Sequence, residues 1–277
     1  KGAQCANTGT KSKPPRLRGT LNIVSTATAG IPAAAGQEVA QITDPPLPSN
    51  LAWQGYTLVA CDLQTPRHLL PLGQTVYYGL MVYVPTGWSI PNHFIYGDNI
   101  EEFQFQNIWA APVILQLHGN ESPAGPHVTL ALETGACKLH DTPAPGCAYR
   151  SNADHRCTAR RVATCLPGAY AIPPKGVNGS PGLAEGQWNE IVMSVKWAAG
   201  GGTIQTWYRV KGASTWNHGA TITGIPTVQW PIGSSGPGGH AIEATESYTG
   251  TVTSPFSIYL DNDLEGPSFS AIANAMP

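Results

Sequence analysis

Gln116 and His118 stand two residues apart in the run Val113-Ile114-Leu115-Gln116-Leu117-His118. Such a run reads as a strand, along which successive side chains alternate between faces. Val113, Leu115 and Leu117 then share one face, and Ile114, Gln116 and His118 share the other. An imidazole titrates close to neutrality, so the pair is a candidate for a cleft, and the same alternation also describes the solvated face of an exposed strand. Among other groups, His140-Asp141 and Asp154-His155 are metal-binding types without a convergent ligand spacing, and they read as solvated loop residues. Asp261-Asn262-Asp263 with Glu265 resembles an oxygen-rich calcium loop, and as a turn it needs no ion. A structural calcium there is the one cofactor to be tested for; no other cofactor or metal centre is expected. Trp216 and Trp230 sit in polar loops and are candidate sugar-stacking residues, whereas Trp188, Trp197 and Trp207 lie on strand-like runs and read as packing.

The elements that must position these residues are strands. The spacing predicts them over 75–85 (TVYYGLMVYVP), 111–118, 127–134 and 189–198 (NEIVMSVKWA). Another is expected over 202–212, and Ala199-Gly200-Gly201 between the last two makes a hairpin the local expectation. The runs at 255–261 (PFSIYLD) and 268–275 (SFSAIANA) are expected to close the chain as strands, and LNIVSTAT adds a short β-prone run near residue 20. No helical period extends beyond about two turns. Residues 1–20, basic and containing Pro14 and Pro15, read as an extended arm, and 21–277 as one domain with a cysteine-rich insertion at about 135–185.

Composition agrees with an all-β chain. Only 12% of the 277 residues are charged, while 31 are Gly and 25 are Pro, a mixture suited to many short strands joined by irregular loops. The formal net charge of −2 gives no field to attract nucleic acid or anionic membranes, and no apolar run approaches the ~18 residues that span a bilayer. Nucleic-acid and membrane partners are therefore not expected. The six cysteines, Cys5, Cys61, Cys137, Cys147, Cys157 and Cys165, are even in number and contain no CxxC pair, which favours disulfides and an oxidising compartment over zinc. The simplest pairing joins Cys137 to Cys147, Cys157 to Cys165 and Cys5 to Cys61, and spacing alone leaves the connectivity open. The sequons at Asn120 and Asn178 fit a secreted glycoprotein.

The ordered series GQTVYYGLMVYVPTGW, VILQLHG, GQWNEIVMSVKWAAGGGTIQTWYRVKG and SPFSIYLDND resembles the heparin-lyase-like and alginate-lyase-like polysaccharide lyases, as a divergent member, over roughly residues 50–275. The resemblance implies a β-jelly-roll sandwich and β-elimination on uronic-acid polysaccharides, in which a base takes the C5 proton and an acid protonates the departing O4. Carried onto this chain, it makes Gln116 the group that binds the uronate carboxylate, His118 the base, and Tyr259 the acid or second base. Two features of the family are missing. The stretch Trp53–Val59 has neither the Arg nor the Glu of the usual Arg-x-Glu strand, and Pro255 and Ser257 stand where a Lys is usual. A uronate-binding cation would have to come from Arg67, Lys196, Arg209 or the insertion's Arg150, Arg156, Arg160 and Arg161.

Three functions fit this sequence: an extracellular lyase of acidic polysaccharide, a carbohydrate-binding module that keeps the fold without the chemistry, and a structural subunit. In the last, the N-terminal arm pairs with a neighbour's sheet edge and builds filaments, since strand donation needs no special motif.

Overall fold

The computed structural model describes residues 20–44, 59–64, 72–87, 98–105, 113–118, 127–131, 148–149, 157–158, 170–172, 183–198, 201–225, 227, 238–246 and 256–277. In chain order the elements are β1 (Thr20–Ser25), α1 (Thr26–Ala29), β2 (Glu38–Asp44), β3 (Val59–Gln64), β4 (Thr75–Tyr83), β5 (Asp98–Phe105), β6 (Val113–His118), β7 (His127–Ala131), β8 (Ala148–Tyr149), β9 (Cys157–Thr158), β10 (Tyr170–Ile172), β11 (Trp188–Lys196), β12 (Gly202–Val210), β13 (Asn217–Ile225), β14 (Gly238–Glu246), β15 (Phe256–Gly266) and α2 (Phe269–Ala275). All pairings are antiparallel. One sheet runs β1-β2-β15-β4-β11-β12-β13 and the other β10-β7-β6-β5-β14-β3, with β8 and β9 forming a small ribbon. The fold is an all-β jelly-roll sandwich, and the chain passes repeatedly from one sheet to the other.

The expected hairpin is present. β11 and β12 pair from Asn189 opposite Val210 to Lys196 opposite Thr203, and Gly201 takes the left-handed φ of 71° that the turn requires. β4 and β11 are buried along nearly their whole length, so they read as apolar runs rather than as alternating ones. One face of the seven-stranded sheet carries Ile42, Tyr78, Leu80, Val82, Ile191, Met193, Val195, Trp197, Ile204, Ile258 and Leu260, none more than 1% exposed. Trp197 satisfies its buried indole N–H by donating to the Tyr78 hydroxyl at 3.0 Å.

The opposite face of that sheet is covered by two short segments. The stretch through α1 lays Ala34 against Val39, Met81, Tyr83, Trp188 and Tyr259, and the Trp188 indole N–H donates to the Pro32 carbonyl at 2.8 Å. Lys211 Nζ donates to the carbonyls of Ala33 and Ala34 at 2.9 and 2.6 Å, which fastens the same stretch from the other side. At the other end of the face, α2 packs Ile272 and Met276 on Val192, beside Tyr77, Trp207, Trp216, Leu264 and Phe269. Its close approach needs Gly79: a Cβ there would meet Met276 Cε at 2.6 Å and collide with Ile272 Cγ2.

Several expectations change. Residues 268–275 form a helix rather than a closing strand. Ser268 caps it, accepting from the Ala271 N–H at 3.1 Å, and Ile272 and Met276, four apart, supply its buried side. LNIVSTAT is a strand only to Ser25, whose hydroxyl then caps α1. Eight further strands, β2, β3, β5, β8, β9, β10, β13 and β14, lie in stretches that had no predicted element. Residues 1–19 of the arm and most of 135–185 lie outside the described residues, as do Cys5, Cys137, Cys147, Cys165, Asn120, Asn178 and Trp230. Cys61 falls in β3 and Cys157 in β9.

Candidate functional site

In the six-stranded sheet, β6 is an interior strand between β5 and β7. Its register sets Gln116 opposite Asn99 on β5 and Thr129 on β7, and His118 opposite His127. Positions that pair directly share a face, so Asn99, Gln116, His118, His127 and Thr129 form one contiguous set. The same face continues outward: Ile114 opposes Glu102, Glu102 opposes Ala241, and Glu243 opposes Asp62. The alternate positions are Val113, Leu115 and Leu117 on β6 and Val128 and Leu130 on β7, with Phe103, Phe105, Ile242, Ala244 and Leu63 on the remaining strands. Asp98, Glu101, His240 and Glu246 also fall at alternate positions, so that face is mainly but not wholly apolar, while the face of Gln116 gathers the amide, hydroxyl and imidazole groups. A register shift between Asn99 and Glu101 brings Glu101 opposite Leu115, so this bulge interrupts the alternation on β5 beside the Gln116 row.

The structure does not bring Tyr259 to this set. β15 belongs to the seven-stranded sheet, and Tyr259 packs with Ala34, Met81, Tyr83 and Trp188, 7% exposed. Its ring meets Tyr83 edge-on with centroids 5.9 Å apart, and its hydroxyl accepts from Gln41 Nε2 at 3.2 Å. The adjacent Ser257 hydroxyl shares a 2.7 Å hydrogen bond with Thr43, which completes a polar ladder between β2 and β15. Nor do two of the alternative cations stand on the six-stranded sheet. Lys196 ends β11 and is exposed, while Arg209 forms an ion pair with Glu190. The remaining alternatives, Arg67, Arg150, Arg156, Arg160 and Arg161, lie outside the described residues.

Glu190 is wholly buried and Arg209 is 14% exposed. The Arg209 guanidinium also sits 4.4 Å from the Trp216 ring centroid, as a cation–π partner. The Trp216 ring meets Phe269 of α2 edge-on at 5.5 Å. Trp216 is therefore built into the covering of the seven-stranded sheet, with Arg209 over one side of its ring. Trp207, stacked on Tyr77 at 6.3 Å and against Phe269 at 5.0 Å, packs in the same cluster, and Trp188 and Trp197 are core residues, in keeping with the packing role expected of these three.

The Asp261-Asn262-Asp263 stretch is a bulge in β15, with a register shift between Asp261 and Leu264 and Asn262 at φ 52°. Asp261 Oδ1 accepts from the Asn262 N–H at 2.8 Å and Oδ2 from the Ala35 N–H at 3.2 Å, so this carboxylate ties the α1 stretch to the sheet. Among the described residues no group of three or more His, Cys, Asp or Glu is arranged to hold a metal ion.

No family model matches the chain, and no curated protein does. Among solved structures, it is similar to an alginate lyase from Klebsiella pneumoniae, with a TM-score of 0.47, 10% identity, and 84% of this chain and 82% of that one covered. It is also similar to the catalytic domain of a GH131 β-glucanase from Podospora anserina, with a TM-score of 0.41, 13% identity, and 84% and 74% covered. A third is the exoplasmic/lumenal domain of VIP36 in a form bound to calcium and Man3GlcNAc, with a TM-score of 0.35, 8% identity, and 93% and 88% covered.

Proposed function

We propose that the chain is an extracellular polysaccharide-binding protein that takes its ligand across the polar face of the six-stranded sheet, centred on Gln116 and His118. The observation that carries this reading is the register of β6, an interior strand that sets these two residues opposite Asn99, Thr129 and His127. A row of amide, hydroxyl and imidazole groups on adjacent paired strands offers directional hydrogen bonds to sugar hydroxyls, and the mainly apolar alternate face supports the strands that hold them.

The test is affinity electrophoresis against a panel of soluble polysaccharides. Retardation by at least one polymer is expected, together with an at least tenfold weaker interaction in Gln116→Ala and His118→Ala. Equal retardation of wild type and both variants would show that the polymer sits elsewhere. The same panel, followed by ultraviolet absorbance, tests the β-elimination that the lyase resemblance implies. Release of unsaturated uronates that stops in His118→Ala would make His118 the base for C5 proton abstraction.

A second reading is filament assembly by strand donation. It is favoured by the position of β1, which begins at Thr20, directly after the basic arm, and lies at the edge of the seven-stranded sheet with Ile23 60% exposed. Filaments visible by electron microscopy, and their loss on deletion of residues 1–19, would support it; a truncated chain that still assembles would remove it.

A further inference from the structure

The six strands that build the proposed binding sheet contain no Lys and no Arg. They carry Asp62 on β3, Asp98, Glu101 and Glu102 on β5, and Glu243 and Glu246 on β14. Three of these carboxyl residues occupy the face of Gln116 and His118. Glu243 is directly opposite Asp62, and Glu102 is opposite Ala241, one diagonal step from Glu243. Directly opposed positions have Cβ atoms about 5 Å apart, and diagonal ones about 7 Å.

From this juxtaposition we infer that the face selects a neutral, hydroxyl-rich glycan and rejects uronate polymers; the inference rests on the polysaccharide-binding reading above. A uronate chain carries a charge on every sugar. Each of its carboxylates brought to about 4 Å of a fixed carboxylate in water weakens binding about fivefold, and more where water is excluded. Three such encounters outweigh the single neutral hydrogen bond that Gln116 would offer a uronate, which is worth about two- to tenfold. For a neutral glycan the sign reverses. Sugar hydroxyls are donors, carboxylates accept from them in charge-assisted bonds worth about ten- to a hundredfold each, and Asn99, Gln116 and His118 add neutral partners. Among the described residues, the strands of this sheet hold no Lys or Arg to offset the repulsion.

The experiment compares binding of neutral polymers (a β-glucan, a xylan and a mannan) with alginate and glucuronan, at low and at high salt, by isothermal titration. At least one neutral polymer is expected to bind tenfold or more tighter than either uronate, with an affinity that changes less than twofold with salt. In the triple variant Asp62→Asn, Glu102→Gln, Glu243→Gln, the preference should fall at least tenfold. It should do so through weaker neutral binding and stronger uronate binding together, with circular dichroism confirming the fold. Should the triple variant not fold, Glu243→Gln alone should shift the ratio by about fivefold. Uronates bound as tightly as every neutral polymer, or a ratio unmoved by the variants, overturns the inference and leaves the binding reading intact. Binding to neither class removes both.

Discussion

The two sheets of this sandwich use polar residues in opposite ways. In the seven-stranded sheet much of both faces is covered, and several polar groups described within it are committed to the architecture. Asn189 accepts from the Ala184 N–H and donates to the carbonyls of Val82, Ala184 and Gln187; Asp261 holds the α1 stretch; Glu190 pairs with Arg209. In the six-stranded sheet the register gathers Asn99, Gln116, His118, His127 and Thr129, with Asp62, Glu102 and Glu243, on one face, and none of its strands contains Lys or Arg. A sheet roofed on both sides has no room for a ligand, whereas a sheet with one hydrophilic face presents a flat, pre-arranged set of hydrogen-bonding groups. On the polysaccharide-binding proposal, stability and recognition are divided between the layers. Substitutions in the first should move the melting temperature and spare binding, and those in the second should do the reverse.

The largest departure is expected from Arg209→Met. It strands the fully buried Glu190 carboxylate, one oxygen of which has no partner among the described residues, and it takes the cation from above Trp216. Removing one member of a buried pair costs about 3–5 kcal/mol. Urea unfolding should show that loss, and Glu190→Leu in the same chain should recover most of it, because an apolar pair needs no solvation. A double variant as unstable as the single one would mean that the Trp216 contact, not the stranded charge, carries the cost. Next comes Gly79→Ala, whose added methyl must push Ile272 and Met276 away. Overpacking of this kind costs about 1–3 kcal/mol, and the loss should vanish in a chain that also ends before α2. Neither change should alter polysaccharide affinity at a temperature where the variant is folded.

Much of this division was legible in the residues, and the parts that were not share a cause. Strands that are buried on both faces announce themselves as continuous β-branched and aromatic runs, so β4 and β11 stand where the spacing predicts them, and the Gly-rich turn places β12 beside β11. The alternation of VILQLH likewise separates Gln116 and His118 from the apolar positions of β6. The missed strands are weaker signals: β5 (DNIEEFQF) and β14 (GGHAIEATE) carry acidic residues and glycines that lower β-propensity, and only pairing with neighbours makes them strands. Their omission hid Glu102 and Glu243, two of the three carboxyl residues on the proposed binding face. The α2 error arose because Phe269 and Ile272 suit a strand as well as a helix. What decides is Ser268 as a cap and the burial of Ile272 with Met276, a tertiary effect. Tyr259 was assigned by resemblance to its neighbouring residues, and no local pattern records which of two sheets a strand joins.

Tyr259→Phe has the smallest expected effect and draws the sharpest line between the layers. The change removes one hydroxyl, which accepts a single hydrogen bond from Gln41 at 3.2 Å, and keeps the ring against Tyr83. Gln41 Nε2 retains its 3.4 Å approach to Ser257, so the donor is not left wholly without a partner. The cost should lie near about 1 kcal/mol or below, a shift of about 2–4 °C in a chain of this size. Polysaccharide binding, and any release of unsaturated product, should be the same as wild type, because the hydroxyl stands on the sheet that carries no part of the proposed face. A Tyr259→Phe chain that melts normally and yet loses turnover would return Tyr259 to the acid role of the lyase resemblance. It would also require the polymer to reach the covered sheet, and the division of labour between the two layers would then be wrong.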